Sequence, residues 1–364
     1  MQEIGTPLRR YAPLLFVPLS LVLNHFSLAA PPWVFLAGLI AIAVLADWVR
    51  EGTEQVAAHA GSTIGSLLNV SFGNAAELVL ALFVLSTAQT QVVQAQITGS
   101  IIGTTLLFLG IAALVAGLRP ERQVFSQQQV GLLSTLLLLL AVAIILPAVF
   151  HATERQMAPG ANLSRLDEQL SLSVSVVLLL LYGANVVYVL VSRRSIFACG
   201  REEECAAPKW SLPVGLAVMV GATIGVAFEA EVVSTRLAET ASQIGLSSVF
   251  MGVVVLALIG TVSDLFVAVS FARAGKMEIV LSLCLGSAIQ IALVVAPVLV
   301  LVSWAIGHPM NLVFGSPLDL FAIASAAFIV RMIIADGETN WYEGFLLIGV
   351  YVLFALAFFF LGRT

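Results

Sequence analysis

Two carboxylates, Glu77 and Asp264, interrupt otherwise apolar sequence, and glycine with small polar residues precedes each of them. The first closes the run Gly61-Ser-Thr-Ile-Gly-Ser-Leu-Leu-Asn-Val-Ser-Phe-Gly-Asn-Ala-Ala-Glu77, the second the run Gly260-Thr-Val-Ser-Asp264. Asn74 stands three residues before Glu77, and Thr261 three before Asp264, so each shares a helix face with its acid. Gly73 and Gly260 allow a helix to break or a backbone to approach closely, either of which exposes carbonyl oxygens. The next apolar stretch after each acid adds side-chain oxygen: Gln96, Thr98, Ser100, Thr104 and Thr105 in one case, Ser287 and Gln290 in the other. Carboxylate, hydroxyl, amide and carbonyl oxygens without clustered His or Cys suit a hard cation. Ca2+ takes about 6–8 oxygens and tolerates irregular geometry, which Mg2+ does not.

The elements that position these groups must cross a membrane. Of 364 residues, 60% are hydrophobic and only 10% are charged, with a mean hydropathy of +1.05. Soluble domains carry about 25% charged residues. A bilayer crossing needs about 20 mostly apolar residues, and eleven such spans are predicted: 12–27, 32–50, 62–86, 93–117, 127–150, 167–192, 211–239, 247–272, 278–303, 314–335 and 341–361. The first apolar run lacks a small-residue cleavage pattern and is expected to be a span, not a removed signal peptide. With the N-terminus in the cytoplasm, twelve Lys and Arg residues, among them Arg9, Arg50, Arg119, Arg193, Arg273 and Arg331, fall inside. Only Arg155, Arg165 and Arg363 fall outside, and Arg236 lies within a span. That positive-inside bias predicts a cytoplasmic N-terminus and an external C-terminus.

Sliding the chain against itself by 187 residues superposes Gly65 on Gly252, Gly73 on Gly260, Glu77 on Asp264, Gly99 on Gly286 and Ser100 on Ser287. Glycines coincide easily in apolar helices; rare acids do not. Glu77 lies on the third span and Asp264 on the eighth, so the two helices run in opposite directions. The expected fold is an all-α polytopic membrane protein of about eleven helices, with one N-terminal helix followed by two inverted five-helix repeats. The boundaries are 1–30 for the N-terminal helix, 31–193 and 211–364 for the repeats, and 194–210 for a cytoplasmic loop. Inverted repeats of this kind place a shared site near the bilayer midplane. An intramembrane acid can serve helix packing alone, but a pair at symmetric positions points to an ion site.

Gly52-Thr-Glu54-Gln, Gly73-Asn-Ala-Ala-Glu77 and Gly286-Ser-Ala-Ile-Gln290-Ile resemble the cation/proton exchanger family, the Ca2+/H+ antiporters of the cation/calcium exchanger superfamily. That family carries Gly-Asn-Ala-(Ala/Thr)-Glu in its first repeat and Gly-Ser-Ala-Thr-Gln in its second, where this chain differs only at Ile289. The resemblance runs from about Leu14 to the C-terminus and implies that Glu77 and Asp264 carry the ion. It also implies that the backbone near Gly73 and Gly260, together with Asn74, Ser100, Ser287 and Gln290, surrounds it. The family's second acidic motif, Gly-Asn-Ala-Ala-Glu-His, is here Gly260-Thr-Val-Ser-Asp264-Leu265. The acid is one methylene shorter, Thr261 replaces Asn, and the His is missing, so no role of that His passes to Leu265. The resemblance further implies a proton route through Glu54, in the Gly-Thr-Glu match, and Glu231, which matches a family acid on the seventh span. Glu229 stands beside it in the same span, Arg236 and Glu239 make a helix-surface pair, and Glu202, Glu203 and Glu204 form a solvated loop cluster.

Burial penalises the ionised form of a carboxylate. Two buried acids therefore hold two protons, or one divalent cation once both are ionised, and the loaded site keeps the same charge either way. The expected function is a secondary antiporter exchanging Ca2+ for H+ by alternating access, with two protons per Ca2+ if only the pair titrates. A Na+-coupled or broader divalent exchanger and a passive cation channel remain alternatives. An enzyme is disfavoured: His25, His59, His151 and His308 lie at span ends or loops, and neither Gly-x-Ser-x-Gly nor His-Glu-x-x-His occurs. Cys199, Cys205 and Cys284 form no pairing or metal-ligand spacing. No cofactor is expected beyond the transported Ca2+ and H+. The partners are those ions and the lipid bilayer, with no nucleic acid, and a homo-oligomer is allowed. A prokaryotic cytoplasmic membrane is the expected location.

Overall fold

A computed structural model of the chain describes residues 12–26, 29–118, 123–157, 163–192, 209–314 and 316–361. Among the described residues there are eleven helices: α1 Phe16–His25, α2 Pro31–Phe72, α3 Ala75–Ser86, α4 Thr90–Gly117, α5 Gln127–Met157, α6 Leu163–Ser192, α7 Leu212–Ile244, α8 Ser248–Arg273, α9 Met277–Ala305, α10 Pro317–Ile333 and α11 Trp341–Phe360. Helices dominate because hydrocarbon offers a backbone no hydrogen bonds, and a helix pairs its own N–H and C=O groups. Nine of them, all but α1 and α3, include a stretch long and apolar enough to cross a membrane. The chain is an integral membrane protein.

Local chemistry sets several helix ends. Pro213 and Pro317 occupy first-turn positions of α7 and α10, where the missing N–H costs nothing. Asn340 caps α11 by accepting from the Tyr342 and Glu343 amides, while the Asn340 amide donates to the Glu343 carboxylate. A short antiparallel strand pair, β1 Gln123–Val124 with β2 Glu338–Thr339, ties the segments preceding α5 and α11 at one end of the bundle.

The third span, expected as a single helix over 62–86, is built in two pieces. Gly61, with φ +82°, ends the α2 crossing in a conformation that favours glycine. The chain then doubles back: a side chain at Gly65 would lie 2.5 Å from the Ala57 carbonyl, although eight residues of continuous helix would separate them by about 12 Å. The second piece is α3, set off by a turn at Gly73–Asn74. Glu54 therefore lies on an unbroken stretch of α2, beyond the 32–50 bounds expected for that span.

The core sits around α4 and α9, which are buried along most of their length, whereas α6 and α11 turn most of theirs outward. Outward-facing Leu, Val and Phe side chains such as Leu139, Leu180, Phe228 and Leu353 make the apolar coat that lipid requires. Gly99 and Gly252 allow α4 and α8 to touch through their backbones; a side chain at Gly99 would overlap the Val253 carbonyl. α4 widens into a π-helical turn at Gly103–Phe108 and α9 at Ile291–Val295. Shifted by the 187-residue repeat these turns coincide within a residue, so the repeat is structural as well as textual.

Candidate functional site

The break at Gly73–Asn74 delivers Glu77 to the core in the first turn of α3. A helix start carries unpaired amides and a partial positive charge, which suits a carboxylate there. The preceding helical end likewise leaves carbonyl oxygens without intrahelical partners. Glu77 is 1% exposed, and neither of its carboxylate oxygens has a hydrogen-bond partner among the described residues. Ser100 on α4 interacts with this carboxylate, although its hydroxyl meets no hydrogen-bond geometry.

The second repeat closes the other side. A side chain built on Gly260 of α8 would stand 3.3 Å from Cβ and Cγ of Glu77, so the stem of the first acid lies on the backbone of the second motif. One turn along α8, Asp264 is buried and acts electrostatically on Glu77. Ser287 of α9 reaches Asp264 and donates to Asn74 Oδ1 at 3.2 Å. Asn74 Nδ2 in turn donates to Gln290 Oε1 at 2.8 Å. Thr261 donates to the Ala257 carbonyl at 2.8 Å, which leaves its oxygen lone pairs free to accept. Glu77, Asp264, Asn74, Gly260, Ser100, Ser287 and Gln290 are thus linked from the start of α3, α4, α8 and α9, with Gly73 next to Asn74 in the turn before α3 and Thr261 next to Gly260 in α8. Two carboxylates, three hydroxyls, two amides and loosened backbone can together surround a hard cation, or hold two protons in its place.

The two acids expected along a proton route lie elsewhere. Glu54 is exposed on α2 and paired with Arg50 at 2.6 Å. Arg50 also donates to the Ser263 carbonyl at 3.2 Å, and both charges act on Asp264, so this pair borders the site. Glu231 is exposed in a groove between α1 and α7 that also includes Asn24, His25 and Thr235. Arg236 and Glu239 stand 3.5 Å apart on the surface of α7. Glu202, Glu203, Glu204, Cys199 and Cys205 lie outside the described residues.

Of three further buried groups, Glu229 and Gln96 are named from the sequence and Asp319 is missed. Glu229, two residues from Glu231, is wholly buried and accepts a hydrogen bond from Ser20 of α1 at 2.6 Å. Asp319 is buried in the first turn of α10 beside Thr98; its Ser-Pro-x-Asp setting reads as an ordinary helix start. Gln96 is buried with both amide atoms unpaired, a state no spacing rule signals.

The sequence pattern of the family Sodium/calcium exchanger protein matches residues 30–191 and 214–360. The chain is 37% identical over 361 residues to a Ca(2+)/H(+) antiporter of Aphanothece halophytica, covering 95% of both proteins. It is 38% identical to a Ca(2+)/H(+) antiporter of Synechocystis sp., covering 95% of this chain and 96% of that one. Among solved structures, native YfkE superposes with a TM-score of 0.82 at 32% identity, covering 97% of this chain and 100% of that one.

Proposed function

The chain belongs to the sodium/calcium exchanger protein family, and on that premise we propose that it is a secondary antiporter exchanging Ca2+ for protons by alternating access. The carrying observation is Glu77: a buried carboxylate whose two oxygens lack partners, set against the backbone of the opposite repeat and electrostatically coupled to Asp264. An unpaired ionised carboxylate in a membrane interior costs several kcal/mol. Such a group is stable when a proton or a cation fills its vacant valences.

The exchange follows from charge balance. With both acids protonated the pair is neutral; with both ionised and one Ca2+ bound it is neutral again. Releasing two protons to one side frees four carboxylate oxygens for the incoming cation. Asn74, Ser287, Gln290, Ser100 and Thr261 add neutral oxygens without altering that balance. The empty, doubly ionised form is disfavoured by desolvation and mutual repulsion, so the helices rearrange only when loaded. Alternating exposure then comes from one group of helices rocking against the other around the fixed pair. The broad contact of α2 with α7, the first helices of the two repeats, is the natural sliding surface. In this reading Glu54, exposed and paired with Arg50 next to the site, and Glu231, exposed in the groove between α1 and α7, exchange protons with solvent. The positive-inside bias supports a cytoplasmic N-terminus, and a prokaryotic cytoplasmic membrane is the location we infer.

The shortened Asp264 and the absent His at Leu265 favour one second reading, coupling to Na+. Uptake of 45Ca2+ into proteoliposomes under an imposed pH gradient tests both. Uphill uptake by wild type, abolished by a protonophore and lost in Glu77→Gln and in Asp264→Asn, is the expected result. Uptake driven by a Na+ gradient and indifferent to the pH gradient would transfer the protein to the Na+-coupled reading.

A further inference from the structure

Among the described residues, twelve buried side-chain atoms lack a hydrogen-bond partner. Five of them belong to three residues, both oxygens of Glu77, the hydroxyl of Ser100 beside it, and both amide atoms of Gln96, one helical turn before Ser100 on α4. The other seven are single atoms on seven separate residues. A buried amide with neither end paired is destabilising, so its retention calls for something that fills its valences part of the time.

Gln96 is 1% exposed and precedes Ser100 by four residues on α4. The two side chains therefore leave one helix face one turn apart, and Ser100 interacts with the Glu77 carboxylate. Gln96 is the next polar side chain on that face toward the turn joining α3 to α4. The other polar stripe of α4 is already engaged: Gln94 Nε2 donates to the Asn311 carbonyl at 2.8 Å, and Thr98 Oγ1 to the Gln94 carbonyl at 3.2 Å.

We infer that Gln96 is a specificity-determining ligand of the ion site, an assignment that rests on the Ca2+/H+ reading. An amide carries a hard neutral oxygen and two N–H donors on one planar group. With a cation bound, Gln96 Oε1 adds an oxygen without adding charge. With the site protonated, the same oxygen accepts the Glu77 O–H, and Nε2 donates to the remaining carboxyl oxygen. One side chain thereby serves both loaded forms. A carboxylate at this position would upset the equality of two protons and one divalent cation, and a hydroxyl would reach less far. The extra ligand also raises the coordination number, which favours Ca2+ over smaller divalent ions.

The test compares reconstituted full-length wild type with Gln96→Leu, which keeps the volume and removes both polar ends. Half-saturating Ca2+ and the preference for Ca2+ over Mn2+ are measured under one pH gradient, with thermal unfolding in detergent alongside. The expected result is a half-saturating Ca2+ raised roughly tenfold or more, a weaker preference for Ca2+, and an unfolding midpoint unchanged or higher. Gln96→Asn, an amide on a shorter stem, should fall between the two. A glutamine that only supports packing gives the reverse, a lower midpoint with unchanged half-saturation and preference, and that pattern overturns the assignment. Should Gln96→Leu not fold, wild-type values in Gln96→Asn overturn it equally. A wild type that moves no Ca2+ on a pH gradient defeats the Ca2+/H+ reading and this assignment together. A transporting wild type with an unaffected Gln96→Leu defeats the assignment alone.

Discussion

Glu77 and Asp264 occupy the same step of a repeated plan, 187 residues apart, yet their surroundings differ. Glu77 follows a broken helix, lies in the first turn of α3, and has both oxygens unpaired beside an unpaired Ser100 hydroxyl. Asp264 sits within the continuous α8, is reached by Ser287, and lies one residue from the carbonyl that accepts from Arg50. Ser287 and Gln290, on the Asp264 side, are also tied by hydrogen bonds to Asn74, which reaches across from the Glu77 motif. Duplicated sequence has thus produced one half with vacant valences and one half already braced. The vacant half is where an arriving ion gains most, and the braced half is where geometry is held.

The contrast makes predictions that differ between the halves. The largest effect is expected from exchanging acid lengths. Glu77→Asp withdraws a carboxylate that no hydrogen bond holds in place, and initial 45Ca2+ uptake should fall about 100-fold or more. Asp264→Glu, in the braced half, should stay within about tenfold of wild type. Equal losses in the two variants would break the comparison.

Next is Gly260→Ala, which puts a methyl 3.3 Å from the Glu77 stem. Overpacking of this kind costs about 1–3 kcal/mol, read as a lower unfolding midpoint together with slower uptake. Gly183→Ala on α6, where a side chain meets nothing within 4 Å, serves as control and should be neutral or stabilising by up to about 1 kcal/mol. A third variant, Asn74→Ala, cuts the chain that links α3 to α9 and strands Gln290 and Ser287. A stability loss of about 1–3 kcal/mol is expected, and a wild-type midpoint would mean that the brace does not hold the second half. Smallest is Glu54→Gln. Its ion pair with Arg50 is partly solvated, so denaturation should shift by less than about 1 kcal/mol and depend on salt. A larger, salt-independent loss would show that the Arg50 region belongs to the brace itself.

Much of this organisation is legible from the chain alone, for definite physical reasons. Apolar runs of bilayer length announce spanning helices because lipid leaves the backbone no alternative. Acids inside such runs stand out because burying them is costly, which is why Glu77, Asp264 and the 187-residue offset could be named from spacing, while the family resemblance singled out Asn74, Ser100, Ser287 and Gln290 from the other polar residues nearby. Gly73 marks a place where a helix can open, and the chain does turn there.

Other features depended on the three-dimensional arrangement. Lipid tails are as apolar as a protein core, so hydropathy does not tell which face of a membrane helix turns inward. Glu231 and Glu229 are two residues apart and nearly equivalent in pattern, yet Glu231 is exposed and Glu229 is buried against Ser20, 209 residues away in sequence. The reversal at Gly61 was hidden for a related reason: the residues on both sides suit a helix, and only a positive φ with Gly65 pressed on Ala57 reveals the turn. The unpaired amide of Gln96 is further still from sequence, because lacking a partner is a property of everything around a group and not of the group itself. Composition and periodicity determined that this chain crosses the membrane and where its rare charges fall along it. Tertiary packing decided which of those charges meet and which are left unpaired, because that depends on helix rotation and long-range contact, which an apolar surround leaves unencoded in local pattern.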